Sequence, residues 1–200
     1  MKVLLYKIGR EITSSIKLIE QFQEINKTNT KIKVKIDYDT PDAGYYYDSE
    51  PNNLYVNPSH CNFNVDCISI GYTESRHILS TIIHEFAHLL DHKYEILYKY
   101  EIFTEQYGNC LINDYCETNL FEEIAELIVL YITNPYLLYV ISIKHYNFFK
   151  QLFKSPTSCG PKTFIKIRKK WDDEIKQECC DRWGINVEND TIQIIEKKKG

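Results

Sequence analysis

Apolar and polar residues recur with two different periods along this chain, and the periods predict its elements. Residues 32–36 alternate apolar and charged side chains, as a strand with one buried face does. Further strands are predicted at 2–8, 54–56 and 66–72, with 192–195 as a weaker candidate. Between about 13 and 25 the apolar residues recur at helical spacing. The stretch 37–53 is rich in Asp, Pro, Gly and Tyr, which predicts a surface loop.

The second half of the chain has a helical pattern throughout. One helix is predicted to begin near Thr73 or Ser75, either of which can cap it, and to end near His92. After a polar segment at 108–119, further helices are predicted at 120–132, 135–154 and 161–184. Strands followed by helices predict an α+β fold.

Composition narrows the classes of function. With 44% hydrophobic and 26% charged residues, the 200-residue chain is expected to form a single domain at 1–184 and a C-terminal tail at 185–200. The net charge of −4 gives no reason to expect a nucleic acid or an anionic membrane as partner. No apolar run of about 18 residues is present, so no membrane span is expected. The sequence does not indicate an oligomeric state.

The chain start and the cysteines predict a cellular setting. The first residues lack the apolar core of a signal peptide, because charge returns at Lys7 and Arg10. A cytoplasmic protein is therefore expected, while non-classical export or delivery into a host cell stays open. The seven cysteines form no C-x-x-C pair, which argues against a zinc ribbon or a thioredoxin-like site. Reduced thiols are expected.

The segment HEFAH at 84–88 indicates a metal site. Residues four apart share one face of a helix, so His84 and His88 can direct both imidazoles at one Zn²⁺ ion. Glu85 then lies where it can act as general base towards the metal-bound water. The apolar residues of this helix form a separate stripe, so the histidine face is not its core face. The alternative is a half-exposed helix with two solvated histidines, which this spacing disfavours.

A catalytic zinc needs a third protein ligand. His92 shares the face but lies roughly 12 Å along the helix from His84, too far for both to bind one ion. We therefore expect His92 to be a helix-end residue or a group behind the ligands. Glu122 and Glu126 are four apart on the 120–132 helix and share a face. Glu122 is the predicted third ligand, and Glu126 would hold His84 or His88 in the correct tautomer.

Glu122 has an alternative role. Asn119 can cap the helix, and Glu122 then occupies the capping-box position. Glu123 points about 100° away from Glu122 and is expected to be solvated.

Three motifs together resemble the catalytic domain of anthrax toxin lethal factor and, more loosely, the Pro-Pro endopeptidases. They are HEFAH, a tyrosine seven residues before the first Glu of the E-x-x-A-E segment, and PKTF at 161–164. The likeness covers roughly 65–175. It implies a zincin-like fold, with a small mixed sheet and the HExxH helix followed by a mostly helical C-terminal half. It also implies a gluzincin-type endopeptidase that binds one zinc ion.

The resemblance also implies roles for particular residues. It implies that His84, His88 and Glu122 are the ligands, that Glu85 is the base, and that Tyr115 is the family's active-site tyrosine, which stabilises the oxyanion. The expected partner is a protein or peptide substrate, whose peptide bonds are hydrolysed by the metal-bound water. Two alternatives stay open: an inactive zincin-fold binding or regulatory module, and a zinc hydrolase of a non-peptide amide.

A peptide substrate would need a cleft beside the metal. The predicted strand at 66–72 is expected to border this cleft, where an extended peptide could pair with its free edge. The loop at 45–47 either overhangs the cleft or is a plain surface loop.

Overall fold

The computed structural model describes residues 2–28, 30–61, 63, 77–154, 185–188 and 191–194. It divides into two compact units, Met1–Ser158 and Cys159–Gly200. In the second unit, strands β4 (Ile185–Glu188) and β5 (Thr191–Ile194) form an antiparallel hairpin. The predicted strand at 192–195 is thus confirmed, with a partner that the sequence pattern did not indicate. The predicted loop and helix between 155 and 184 lie outside the described residues, and the domain boundary at 184 stays a prediction.

The chain begins with one long helix, α1 (Lys2–Asn26). The helix predicted at 13–25 is confirmed, but the strand predicted at 2–8 is wrong. The residues on the inner face of α1 are separated alternately by four and three positions; they are Ile8, Ile12, Ser15, Ile19 and Phe22. This spacing carries the helical period back through the first turns. Leu4 and Leu5 are exposed on the surface of α1.

A small mixed sheet follows, as the sequence predicts. Strand β1 (Lys33–Ile36) pairs in parallel with β3 (Asn53–Val56), and β3 pairs antiparallel with β2 (Gly44–Tyr46). The strands at 32–36 and 54–56 are confirmed. Strand β2 lies in the segment expected to be a loop, and it forms one edge of this three-stranded sheet.

Helix α2 (Ile78–Tyr94) carries the HEFAH motif. His77 caps its first turn, because the His77 Nδ1 accepts a hydrogen bond from the Leu79 N–H at 3.0 Å. The predicted caps Thr73 and Ser75, like the predicted strand at 66–72, lie outside the described residues. Glu95, in the left-handed region at φ 52°, ends α2 and starts α3 (Ile96–Tyr107).

Three helices complete the first unit. Helix α4 (Leu120–Thr133) matches the predicted 120–132 within one residue. The continuous helix predicted at 135–154 is wrong, because it is two helices, α5 (Pro135–Ile141) and α6 (Ile143–Leu152). Ser142 separates them in an extended conformation and accepts a hydrogen bond from the His145 N–H. A serine hydroxyl competes with the helical backbone in this way and favours an N-cap.

Helix α2 lies at the centre of the first unit. It packs against α1, against α4 and against strands β2 and β3. Phe22 of α1 joins this core through edge contacts with Phe86 of α2 and with Phe153. Because α2 is enclosed in this way, its polar face is buried together with its apolar face. No helix in the described part of the chain is long and apolar enough to cross a bilayer.

Candidate metal centre

Helix α2 brings the two histidines of HEFAH together. The His84 and His88 Nε2 atoms lie 3.0 Å apart, and their ring centroids are 4.7 Å apart. His84 is 3% exposed, while the His88 ring is partly buried. The spacing of four residues places both rings on one face, as the sequence predicts.

Helix α4 supplies the third atom. Glu122 Oε2 lies 3.0 Å from the His84 Nε2 and 3.6 Å from the His88 Nε2. Ligands placed tetrahedrally about 2.0–2.1 Å from a zinc ion are separated from one another by about 3.3 Å. The three observed separations lie on either side of that value, so the group can hold one metal ion.

The burial and the ionisation of the Glu122 carboxylate are consistent with a role as metal ligand. Its Oε2 atom is buried and makes no hydrogen bond of acceptable geometry, although two imidazoles adjoin it. Burial alone would raise the pKa of Glu122, but the neighbouring His84 and His88 outweigh burial and hold it well below its usual range. The lowered pKa keeps Glu122 ionised, so its carboxylate is in the form that can bind a metal ion.

The capping alternative for this part of α4 is also realised, but by another atom. The Asn119 side chain accepts a hydrogen bond from the Glu122 N–H at 3.1 Å and so caps α4. The Glu122 carboxylate meanwhile faces the histidines. Asn119 therefore supplies the cap, while the Glu122 side chain is directed towards the histidines and not back to the cap.

Glu126 lies one turn further along α4 and contacts His84. Its Oε1 is 2.8 Å from the His84 Nδ1, and its Oε2 accepts a hydrogen bond from the Asn113 amide at 2.6 Å. A carboxylate only accepts hydrogen bonds, so the proton lies on the His84 Nδ1 and the Nε2 lone pair faces the candidate ion.

Glu85 is buried at 5% exposure, where α2 passes β2. Its Oε1 would be 2.8 Å from a Cβ atom at Gly44, and the Thr81 Cγ2 would be only 2.6 Å away. Only a glycine leaves room for the Glu85 carboxylate at this crossing. This contact could not be predicted from the sequence, since it involves a strand that the hydrophobic pattern does not predict.

Tyr115 lies on a single 3₁₀ turn, Asp114–Glu117. Its ring centroid is 5.8 Å from that of His84, and the side chain is about half exposed. The structure thus brings Tyr115 beside the candidate ligands.

Glu123 is not solvated, contrary to the sequence expectation. It is fully buried, and its carboxylate accepts hydrogen bonds from the Tyr100 hydroxyl and the Cys110 N–H, each at 2.6 Å, and from the Asn109 amide. The 100° rotation between Glu122 and Glu123 directs Glu123 into the contact of α4 with α3 and the following loop. Tertiary packing, which periodicity does not encode, determines this environment.

His92 lies in the last turn of α2 and is not in the ligand group. Its Nδ1 is 2.9 Å from the Asp48 carboxylate and 3.2 Å from the Tyr46 hydroxyl. These side chains line a groove of about 440 Å³ that extends to Glu122. Tyr45 and Tyr46 lie in the edge strand β2, and the Tyr46 side chain borders this groove. Of the two expectations for residues 45–47, the plain surface loop is therefore wrong.

Comparison with protein-family models, with curated proteins and with solved structures gives no match. The geometry alone indicates a metal site, because three side chains from α2 and α4 form a group that can hold one metal ion.

Three of the seven cysteines, Cys61, Cys110 and Cys116, lie in the described part of the chain, and all three are buried. Burial raises the pKa of the Cys116 thiol, so it stays protonated near neutral pH.

Proposed function

We propose that this protein is a zinc-dependent endopeptidase of the zincin type. The observation that supports the proposal is the ligand group His84, His88 and Glu122, whose ligand atoms lie within 4.8 Å of one another. Two imidazoles and one carboxylate form the His₂Glu set that proteins use for catalytic zinc, which leaves one position for water or substrate. Structural zinc sites take four protein ligands instead.

The bound zinc would lower the pKa of a water molecule and polarise the scissile carbonyl. Glu85 follows His84 directly on α2, and its carboxylate would take a proton from the attacking water and return it to the leaving amine. The Tyr115 hydroxyl would donate a hydrogen bond to the oxyanion as the carbonyl becomes tetrahedral.

The edge of the sheet favours an extended peptide as substrate. The Asn57 N–H donates to the Ala43 carbonyl, which fixes the alternation of the antiparallel pair β2–β3. The N–H and C=O of Gly44 are therefore directed away from β3. A peptide in β conformation can pair with these groups beside Glu85. The groove between Tyr46 and Glu122 would then accommodate one of its side chains.

The test is cleavage of a degenerate peptide library by the zinc-loaded protein, with and without a chelator. We expect Glu85→Gln to retain zinc and to lower turnover by about 10²–10⁴-fold, since it removes the base and leaves the ligands. Glu101→Gln is the matched control, because it makes the same change at an exposed position of α3 and should cleave normally.

Two results would contradict the proposal. One is cleavage that survives complete removal of zinc, and the other is full activity of Glu85→Gln. If the native protein binds zinc but cleaves no peptide, the inactive binding module becomes the better interpretation.

A further inference from the structure

Asn113 is a buried residue in the loop between α3 and the 3₁₀ turn Asp114–Glu117, and it uses both ends of its amide. The Asn113 Nδ2 donates a hydrogen bond to the Glu126 Oε2 at 2.6 Å. Its Oδ1 accepts a hydrogen bond from the Cys116 N–H at 3.1 Å. Asn113 is 7% exposed, so both bonds are shielded from water.

The donor end acts on His84 through Glu126. Each oxygen of the Glu126 carboxylate faces one nitrogen, the Asn113 amide on one side and the His84 Nδ1 at 2.8 Å on the other. An amide donor fixes the rotation of the carboxylate, and the carboxylate in turn fixes the plane and tautomer of the imidazole. The direction of the His84 Nε2 therefore depends on Asn113.

The acceptor end acts on Tyr115. By capping the turn Asp114–Glu117, the Asn113 Oδ1 holds the backbone from which the Tyr115 ring extends, with its centroid 5.8 Å from that of His84. One side chain thus sets the positions of two groups that come from different elements.

A simple turn cap would require less than this. Aspartate or serine would cap the turn as well as asparagine does, because capping uses only a side-chain oxygen. The contact with Glu126 needs a donor as well, and an amide offers a donor and an acceptor at opposite ends of one side chain.

We propose that Asn113 is a positioning residue of the metal centre, which orients His84 through Glu126 while it holds the turn of Tyr115. This inference rests on the metal site of the proposed function, but not on peptide cleavage.

The decisive variant is Asn113→Asp. It keeps the oxygen that caps the turn and replaces the amide donor by a carboxylate that repels Glu126. We expect Zn²⁺ to bind about 10–100-fold more weakly, measured by competition with a chromophoric chelator. The visible absorption spectrum of bound Co²⁺ should also change, because it reports the geometry of the ligands.

Asn109→Asp is the matched control. Asn109 lies in the same loop, and its amide donates to Glu123 on the same helix, but Glu123 has no contact with His84 among the described hydrogen bonds. This variant also places a new carboxylate beside a buried carboxylate, although Asn109 is itself exposed, and it should leave the zinc affinity and the Co²⁺ spectrum almost unchanged.

A second variant guards against misfolding. Asn113→Ser keeps an uncharged cap and lacks the amide donor, so it too should weaken zinc binding while the far-ultraviolet circular dichroism stays native. Native zinc affinity in Asn113→Asp or Asn113→Ser would overturn the inference, as would an equal loss in Asn109→Asp.

The inference and the proposed function fail separately. Weak zinc binding by the Asn113 variants of a protein that cleaves no peptide would support the positioning role and refute the peptidase. If the native protein cleaves peptides and these variants bind zinc normally, the peptidase proposal is supported and the positioning role of Asn113 is refuted.

Discussion

Gly44 shows how one residue type can determine the position of a catalytic candidate. A Cβ atom there would lie 2.6 Å from the Thr81 Cγ2 and 2.8 Å from the Glu85 Oε1. Real Cβ atoms do not approach so closely, so any other residue must displace both Thr81 and Glu85, or separate β2 from α2. The Glu85 carboxylate is the end of a flexible side chain and would yield first.

We therefore predict that Gly44→Ala impairs catalysis without removing zinc. A displacement of about 1 Å in a reacting group can cost on the order of 10²-fold in rate. Turnover and zinc content should be measured on the same preparation, and zinc content should stay near that of the native protein.

Gly9→Ala is the control for Gly44→Ala. Gly9 lies in α1 with no atom within 4 Å of a Cβ at its position. Alanine there should stabilise the protein by about 0.5–1 kcal/mol and leave turnover unchanged. If Gly44→Ala turns over normally, the contact does not position Glu85.

Residues with a spacing rule were predictable from the sequence, and residues defined by a tertiary partner were not. His84 with His88, and Glu122 with Glu126, each lie four apart, and the structure brings these four side chains together. Glu123 and Asn113 have their partners on other elements. The sequence pattern therefore predicted a solvated Glu123, which is wrong, and predicted no role for Asn113. A turn signal in Asn113-Asp114-Tyr115 was present, since asparagine favours such caps.

The elements show the same limit. The long helices α2 and α4 were predicted because each carries many turns of one period. The errors at 2–8, at β2 and at Ser142 concern short segments, where a few apolar or turn-forming residues fit more than one structure. In α1 the helical period of the following turns extends the helix over residues 2–8. At Ser142 one hydroxyl group caps a new helix and so divides the predicted one in two.

The N-terminus of α2 predicts a pH dependence of stability. Burial lowers the pKa of His77 to about 4, and its neutral Nδ1 caps the helix. In the unfolded chain the pKa of His77 is about 6.5. Between pH 6.5 and 4, His77 therefore binds a proton in the unfolded state but not in the folded state. The stability that the neutral, capping His77 contributes is fully present above pH 6.5 and is lost as the pH falls from 6.5 to 4.

We predict that the free energy of unfolding decreases from pH 7.5 to pH 5, with His77 contributing on the order of 2 kcal/mol. His77→Asn keeps a capping side chain that does not titrate, and its urea unfolding should depend less on pH by that amount. An identical pH dependence in both proteins would remove His77 as the cause.

At the scale of the whole molecule, a metal ion held by His84, His88 and Glu122 would join two helices of the core. Helices α2 and α4 pack directly, and the ligands lie at their contact. An ion that binds only the folded state stabilises it by about 2.7 kcal/mol when its free concentration is a hundred times the dissociation constant.

We predict that zinc in such excess raises the melting temperature by roughly 5–10 °C over the chelated protein. Glu122→Ala should lose most of this shift, because it removes the ligand from α4. Glu105→Ala, at an exposed position of α3, should keep it. Glu123→Ala is unsuitable as a control, since Glu123 is fully buried. A zinc shift that persists in Glu122→Ala would exclude Glu122 as a ligand.

The separation of the ligands along the chain also sets an order of events during synthesis. A growing chain presents His84 and His88 long before Glu122 has been made. Until α4 docks, a metal ion would have only these two histidines as ligands. Tight metal binding would therefore coincide with the docking of α4 on α2.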